Sequence, residues 1–193
     1  MLCLHGFRAS ADMLELALVP LTRSLAAAYE FVFVNAPTRA TGRAEPGVPD
    51  GVPGYEWWGQ PGGAYDEAWQ EQYDEGFERS RTRLAALTAA EDGAGFDGVI
   101  GFSQGAAMAM LVPGARWVAL FSAIVPPRGS APHADARPSF HCYDLHDPHV
   151  HLCARAQKCF VQPTVVPHGE GHAVPRAPEV VNGFAEFLRR TSL

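Results

Sequence analysis

The chain has 193 residues, of which 47% are hydrophobic and 19% are charged. This composition is typical of a globular protein and argues against disorder, and the length suits a single domain over residues 1–193. The formal net charge of −6 gives no electrostatic reason to expect a nucleic acid or an anionic membrane as partner. No apolar run approaches the ~18 residues of a membrane span and no signal peptide precedes the first strand, so we expect a cytoplasmic protein.

Strand-like and helix-like patterns alternate along most of the sequence. Alternation of this kind requires a mainly parallel sheet of about six strands with helices on both faces. The segment from about residue 37 to residue 65 differs, because its many glycine and proline residues predict an irregular insertion or lid. In chain order, the predicted elements are strand Met1–Leu4, helix Asp12–Ala28, strand Phe31–Val34, the insertion, helix Asp66–Ala90, strand Phe96–Gly101, helix Gln104–Leu111, strand Trp117–Ser122, strand Ser139–Leu145, helix Val150–Gln157, strand Gln162–Pro167 and helix Pro178–Arg190.

Residues 101–105 have the sequence Gly-Phe-Ser-Gln-Gly, which is a G-x-S-x-G motif. The motif follows a predicted strand and precedes a predicted helix. This is the setting of a nucleophile elbow, in which a sharp turn exposes the serine hydroxyl above the sheet. Ser103 is therefore the candidate nucleophile. The alternative interpretation is a glycine-rich turn that only begins a helix, which the strand–turn–helix context disfavours.

A serine nucleophile of this kind is accompanied by two backbone N–H groups that stabilise the oxyanion. The first is the N–H of the residue after the serine, which is Gln104. The second comes from the loop after the first strand, where Phe7 is the favoured donor and Arg8 the alternative. His5, which ends that strand, is expected to be a buried structural imidazole rather than a proton-transfer group.

A serine hydroxyl needs a base that removes its proton, and the order expected along the chain is serine, acid, histidine. His168 and His172 both follow the last predicted strand. We favour His172, because a Gly-x-Gly turn before it can bring its imidazole over the nucleophile, and we assign His168 a structural role. Asp144 and Asp147 both follow the preceding strand. We favour Asp147, which precedes a proline that fixes the turn, while Asp144 stays as the rival acid.

Three segments of the chain, 2–8, 96–107 and 168–175, resemble the FSH family of serine hydrolases. The Tyr-Glu-Trp-Trp sequence at 55–58 is similar to a segment of the same family, so the resemblance covers nearly the whole chain. The resemblance implies a compact α/β-hydrolase fold with a minimal lid. It also implies carboxylesterase or thioesterase activity, often on medium to long acyl chains, without a cofactor.

By this resemblance the catalytic residues are Ser103, Asp147 and His172, which are the residues that the motifs favour. The chain departs from the family's usual sequence at three loop positions. These are Ala9, Asp144 and Glu170.

The insertion contains aromatic residues that could form part of a substrate pocket. We expect them to contact a medium to long or bulky apolar acyl group, in a small ester or thioester or in one linked to a carrier or coenzyme A. The candidate substrate-binding residues are Tyr55, Trp57 and Trp58, with Arg8 as the contact for a polar group. The alternative is that these aromatic side chains pack the insertion onto the core.

Two other functions are compatible with the same motifs: an acyltransferase, and a catalytically weak module of the same fold that only binds a ligand. A metal site is a third interpretation, because histidine and cysteine residues are crowded between positions 141 and 153. No His-Glu-x-x-His or paired Cys-x-x-Cys spacing is present, so we predict no metal. The crowded residues are His141, Cys142, His146, His149, His151 and Cys153.

Overall fold

The computed structural model describes residues 1–41, 51–59, 75–90, 95–127 and 129–191. Most of the predicted insertion and the predicted start of the second helix, residues 66–74, lie outside these ranges. In chain order, the elements are β1 (Leu2–Leu4), α1 (Ala11–Leu25), β2 (Val32–Val34), β3 (Thr38–Arg39), β4 (Tyr55–Glu56), α2 (Glu75–Ala90), β5 (Gly98–Phe102), α3 (Gln104–Ala109), β6 (Trp117–Phe121), β7 (Ser139–Asp144), α4 (Val150–Gln157), β8 (Pro163–His168) and α5 (Pro178–Thr191).

Six strands form one parallel sheet in the spatial order β2-β1-β5-β6-β7-β8. This sheet and its helices confirm the predicted α/β architecture, and the ends of every predicted strand lie within two residues of the observed ends. The insertion was predicted to be irregular. Its described part instead contains a short antiparallel pair, formed by β3 and β4. Two-residue strands are too short to show an alternating pattern, so they could not be predicted from the sequence.

Different helices cover the two faces of the sheet, because each helix has apolar residues on one side. Helices α1 and α5 pack on one face, and α2, α3 and α4 pack on the other. Each large apolar side chain buried in this way contributes ~1.5–3 kcal/mol relative to an exposed one. The buried side chains include Leu14, Leu18, Phe184 and Phe187 on the first face, and Phe77, Leu84, Met108, Leu152 and Ala156 on the second.

The order in which the chain adds strands to the sheet reverses at β1, because β2 lies on one side of β1 and β5 lies on the other. The loop after β1 leads to α1 on one face, whereas the turn after β5 leads to α3 on the other. A crevice therefore opens at the carboxyl ends of these two strands, which is where open α/β sheets bind ligands. His5, Gly6 and Phe7 lie on one side of this crevice and Ser103 lies on the other.

The turn after β5 requires glycine, because neighbouring backbone atoms leave no room for a Cβ atom. A Cβ on Gly105 would lie 2.2 Å from the carbonyl oxygen of Leu4 and 2.3 Å from that of His5. A Cβ on Gly101 would lie 2.5 Å from a backbone atom of α3. The start of α3 can therefore contact the end of β1 directly, and this contact places Ser103 beside the loop after β1.

We predict that Gly105→Ala lowers the free energy of unfolding by ~3 kcal/mol, because the two carbonyl oxygens cannot move without shifting β1. Gly183→Ala in α5 is the matched control. Its Cβ would lie 3.3 Å from the Val166 side chain, and alanine gains ~0.5–1 kcal/mol over glycine in a helix interior. Urea titration of both variants measures the difference, and a Gly105→Ala protein as stable as the wild type would contradict the close approach.

Candidate active site

Ser103 lies on a sharp turn between β5 and α3, where the motif predicts it. Its φ of 51° and ψ of −114° lie outside the regions that a residue with a side chain ordinarily adopts. Its N–H donates to the Phe121 carbonyl at 3.0 Å, and its own carbonyl accepts from Ala106 and Ala107 at 3.1 and 3.2 Å. Hydrogen bonds to β6 and α3 therefore hold the strained turn in place.

A chain of two side-chain hydrogen bonds leads from Ser103 to a buried carboxylate. Nε2 of His172 lies 3.0 Å from Oγ of Ser103, and Nδ1 of His172 lies 2.7 Å from Oδ2 of Asp147. An ionised carboxylate only accepts hydrogen bonds, so Nδ1 of His172 carries a proton, and in the neutral form of the ring the Nε2 lone pair faces the serine hydroxyl. This tautomer can accept a proton from Ser103.

Asp147 keeps its negative charge although its side chain is buried. Burial by itself would raise the pKa of this carboxyl. Hydrogen bonds from His172 and from the His149 N–H, the latter at 2.7 Å, outweigh burial and hold the pKa below its usual value. The group is therefore ionised at neutral pH and can stabilise a positive charge on His172.

The alternative acid and base, Asp144 and His168, form hydrogen bonds with backbone N–H groups. Asp144 is buried at the end of β7, and its carboxylate accepts from the N–H of Gly171 at 2.7 Å and from the N–H of His146 at 2.8 Å. His168 ends β8, and its Nδ1 accepts from the N–H of Glu170 at 3.1 Å. The structure brings Asp147, and not Asp144, to the imidazole of His172.

The two candidate oxyanion donors lie on the two sides of the crevice. Gln104 is the first residue of α3, and the first N–H groups of a helix have no partner within that helix. Phe7 is buried in the loop after β1 and lines the same cavity as Ser103. Arg8, the alternative donor, has a φ of 52°, and its side chain is paired with Glu56 at 2.8 Å.

The side chain of Gln104 connects the nucleophile turn to the double-tryptophan segment. Its Oε1 accepts from the N–H of Trp57 at 3.0 Å and its Nε2 donates to the carbonyl of Trp58 at 2.9 Å. The indole N–H of Trp57 donates to the His5 carbonyl at 2.8 Å. This network holds residues 57 and 58 in the core behind the turn.

The structure does not bring these tryptophans to the predicted substrate pocket. Trp57 and Trp58 are completely buried, and neither lines the cavity beside Ser103. Tyr55 is half-buried, and its N–H pairs with the Ala9 carbonyl at 2.8 Å, so it belongs to the same packed segment. The sequence could not separate these roles, because an aromatic cluster suits a core and a pocket equally well.

A cavity of about 690 Å³ opens beside Ser103, which is within the range of small-molecule sites. One wall comes from α1, and another comes from the loop that carries His172. Sequence reasoning did not select the α1 residues, although Ala17 follows Met13 by four places and Leu14 by three, which puts these side chains on one side of a helix. The residues that form the apolar walls are Phe7, Met13, Leu14, Ala17, Phe102 and Val174.

A second imidazole lies in the cavity wall, and the sequence analysis did not select it for the site. The ring of His149 meets the ring of His172 edge-on, with centroids 5.1 Å apart. Burial and the neighbouring His172 lower the pKa of His149, which is therefore neutral at neutral pH. Phe102 packs on His172 at 5.2 Å from another side. The two rings restrict the orientations that His172 can adopt.

Two histidines near the sheet are buried in their neutral form. Nδ1 of His5 donates to the Gly6 carbonyl at 2.7 Å and its Nε2 accepts from the N–H of Ala36 at 3.0 Å. His141 lies 3.0 Å from the hydroxyl of Ser139. Burial lowers the pKa of each imidazole to about 4. His5 thus connects the loop after β1 to the loop after β2.

We predict that the free energy of unfolding falls as the pH is lowered from about 6.5 to 4. In this window the unfolded histidines bind protons and the folded ones do not, which costs up to ~1.4 kcal/mol per histidine and pH unit. Denaturant titrations at several pH values measure the slope. His141→Phe should reduce it, whereas His133→Phe, at an exposed position outside the core, should leave it unchanged. Equal slopes for the two variants would contradict the assignment.

Among the described residues, no group of three or more histidine, cysteine, aspartate or glutamate side chains is placed to hold a metal ion. His141 packs against Phe160, Cys142 lies in the core on the other face of β7, and the His146 side chain is exposed. Alternation along a strand and burial therefore separate residues that are adjacent in sequence.

Comparisons with known proteins show the family of the chain. The family model described as serine hydrolase (FSH1) matches residues 1–184. Hydrolase FUB4 of Fusarium oxysporum f. sp. lycopersici is 34% identical over 112 residues, which are 58% of this chain and 37% of that protein. The chain therefore spans little more than a third of the length of this curated relative.

Solved structures of an esterase and of a thioesterase share the fold. The crystal structure of esterase PE8 has a TM-score of 0.70 and 21% identity, with 98% of this chain and 91% of that one covered. Zea mays acyl-protein thioesterase 2 has a TM-score of 0.65 and 18% identity, with coverages of 98% and 92%. Within the described residues, none of the helices is both long and apolar enough to cross a bilayer.

Proposed function

This chain belongs to the serine hydrolase (FSH1) family, and we propose that it cleaves esters through an acyl-enzyme formed on Ser103. The observation that carries the proposal is the continuous hydrogen-bonded chain from Ser103 through His172 to Asp147. The nucleophile, the base and the carboxylate come from three different loops. Their convergence is the geometry that nucleophilic catalysis by serine requires.

In the first half of the reaction, Oγ of Ser103 forms a bond to the acyl carbon while Nε2 of His172 takes the hydroxyl proton. The N–H groups of Phe7 and Gln104 donate to the oxyanion of the tetrahedral intermediate. The ionised Asp147 stabilises the imidazolium. When the bond to the leaving group breaks, His172 donates its proton to the departing alkoxide or thiolate, and an ester of Ser103 remains.

In the second half, a water molecule takes the place of the leaving group. Nε2 of His172 removes a proton from this water as its oxygen bonds to the acyl carbon. Collapse of the second tetrahedral intermediate breaks the bond to Oγ of Ser103. The proton returns from His172 to that oxygen, the acid is released and the enzyme is restored.

We predict that a fluorophosphonate probe labels the wild-type protein and that both Ser103→Ala and His172→Ala abolish labelling. The hydrolysis of p-nitrophenyl butyrate should fall by ~10⁴-fold or more in each variant, because nucleophile and base act as one unit. His168→Ala is the matched control, since it removes the nearby histidine that ends β8 and bonds to the Glu170 N–H instead of to Ser103. Labelling that survives in Ser103→Ala would refute Ser103 as the nucleophile.

The apolar lining of the cavity favours substrates with medium-length or bulky apolar acyl groups. Met13, Leu14 and Ala17 of α1 and Val174 of the histidine loop form apolar walls beside Ser103. An acyl chain bound to Ser103 can bury its methylene groups against these walls, at ~0.8 kcal/mol per group. We propose esters and thioesters of such acids as the substrates. The acyl group would contact these walls, and not the tryptophans expected from the sequence.

We predict that Ala17→Phe shifts the preference towards shorter acyl chains. The added ring fills part of the cavity, so the ratio of kcat/KM for the p-nitrophenyl octanoate to that for the acetate should fall by ~10-fold or more. Leu16→Phe is the control, because Leu16 is the neighbouring residue of α1 and is 68% exposed. An unchanged ratio in Ala17→Phe would show that the acyl chain binds elsewhere.

A further inference from the structure

Asp144 forms hydrogen bonds that the proposed mechanism does not use. It is the last residue of β7 and is only 4% exposed. Oδ2 accepts from the N–H of Gly171 at 2.7 Å, Oδ1 accepts from the N–H of His146 at 2.8 Å, and the carbonyl oxygen accepts from the N–H of Asp147 at 3.1 Å. One residue is thus bonded to both loops that supply the base and the acid.

We propose that Asp144 is a positioning residue, whose carboxylate fixes the loop that carries His172 relative to the loop that carries Asp147. This inference rests on the proposed function, because it concerns the geometry of the same base and acid. Gly171 directly precedes His172, so its bond to Asp144 restrains the backbone from which the imidazole projects. The same carboxylate orders the turn that begins the acid loop through His146.

The histidine loop has internal hydrogen bonds, but these hold it to itself and to the residues just before α5. Oε1 of Glu170 accepts from the N–H groups of Arg176 and Ala177 at 2.9 and 3.1 Å, and Gly171 O accepts from Ala173 at 3.0 Å. Such bonds keep the shape of the loop without reaching the acid loop. The Asp144 carboxylate bonds across from β7, so it adds a backbone restraint between the two loops to the β7–β8 ladder and the His172–Asp147 hydrogen bond.

The loop conformation explains why a carboxylate suits this position. Gly171 has a φ of 71°, which a glycine adopts at little cost, and this conformation turns its N–H towards the end of β7. The backbone N–H groups of His146 and Gly171 hold the pKa of Asp144 below its usual value. The group is therefore an anion at neutral pH, and hydrogen bonds to an anion are stronger than bonds to a neutral acceptor.

The test compares Asp144→Ala and Asp144→Asn with the wild type, using p-nitrophenyl butyrate. A small displacement of His172 slows the chemistry without altering the cavity, so kcat should fall by ~10–100-fold in Asp144→Ala while KM changes by less than about threefold. Asp144→Asn keeps one acceptor oxygen, so its kcat should lie between that of the wild type and that of Asp144→Ala. If Asp144→Ala does not fold, Asp144→Asn provides the same comparison at nearly unchanged volume.

Asp135→Asn is the matched control for a purely structural effect. Asp135 is a mostly buried carboxylate whose side chain pairs with Arg137, and it does not line the cavity. Its substitution should lower the melting temperature and leave kcat unchanged. Wild-type kcat in folded Asp144→Ala, or an equal loss of kcat in Asp135→Asn, would overturn the positioning role.

A second measurement separates this inference from the proposed function. Amide exchange of the Gly171 N–H should be slow in the wild type, faster in Asp144→Ala and unchanged in Asp135→Asn. If the wild type neither hydrolyses esters nor reacts with the probe, the proposed function fails, while the exchange result still tests the hydrogen bond from Gly171 to Asp144. Fast exchange at Gly171 in the wild type would disprove the positioning role of Asp144, whatever the activity.

Discussion

The contact between Gly105 and the end of β1 is the constraint on which the site depends. Because a hydrogen atom replaces a side chain there, α3 begins against the carbonyl groups of Leu4 and His5. The nucleophile turn and the loop after β1 then face each other across the crevice. A serine on one side and backbone N–H groups on both sides are the consequences of this single close approach.

The remaining parts of the site come from loops at the carboxyl ends of β7 and β8. Parallel strands end at the same edge of a sheet, so residues distant in sequence meet there: His172 is 69 residues from Ser103 and 25 from Asp147. Loops are the least constrained parts of a fold, and catalysis requires their side chains to be placed within fractions of an ångström. The buried network of Gln104 behind the serine and the carboxylate of Asp144 between the other two loops both restrain this geometry.

Much of this architecture follows from local sequence. The strands and the elbow were predictable because β-rich runs and a G-x-S-x-G turn are local signals. The preference for Asp147 over Asp144 rested on a neighbouring proline, and only the fold shows which carboxylate reaches the imidazole. The tryptophans were expected at the substrate and are instead in the core, since Gln104 and Trp57 meet only after folding. His149 and the α1 wall were missed because tertiary contacts alone bring them to Ser103.

The central claim is that an ester passes through a covalent acyl-enzyme on Ser103. The most direct measurement is intact-protein mass spectrometry of the wild type quenched in acid during turnover of p-nitrophenyl octanoate, followed by peptide mapping. The account predicts an added octanoyl group on the peptide that contains Ser103 and its absence in Ser103→Ala. Turnover by the wild type with no adduct, or with the adduct on another residue, would contradict it.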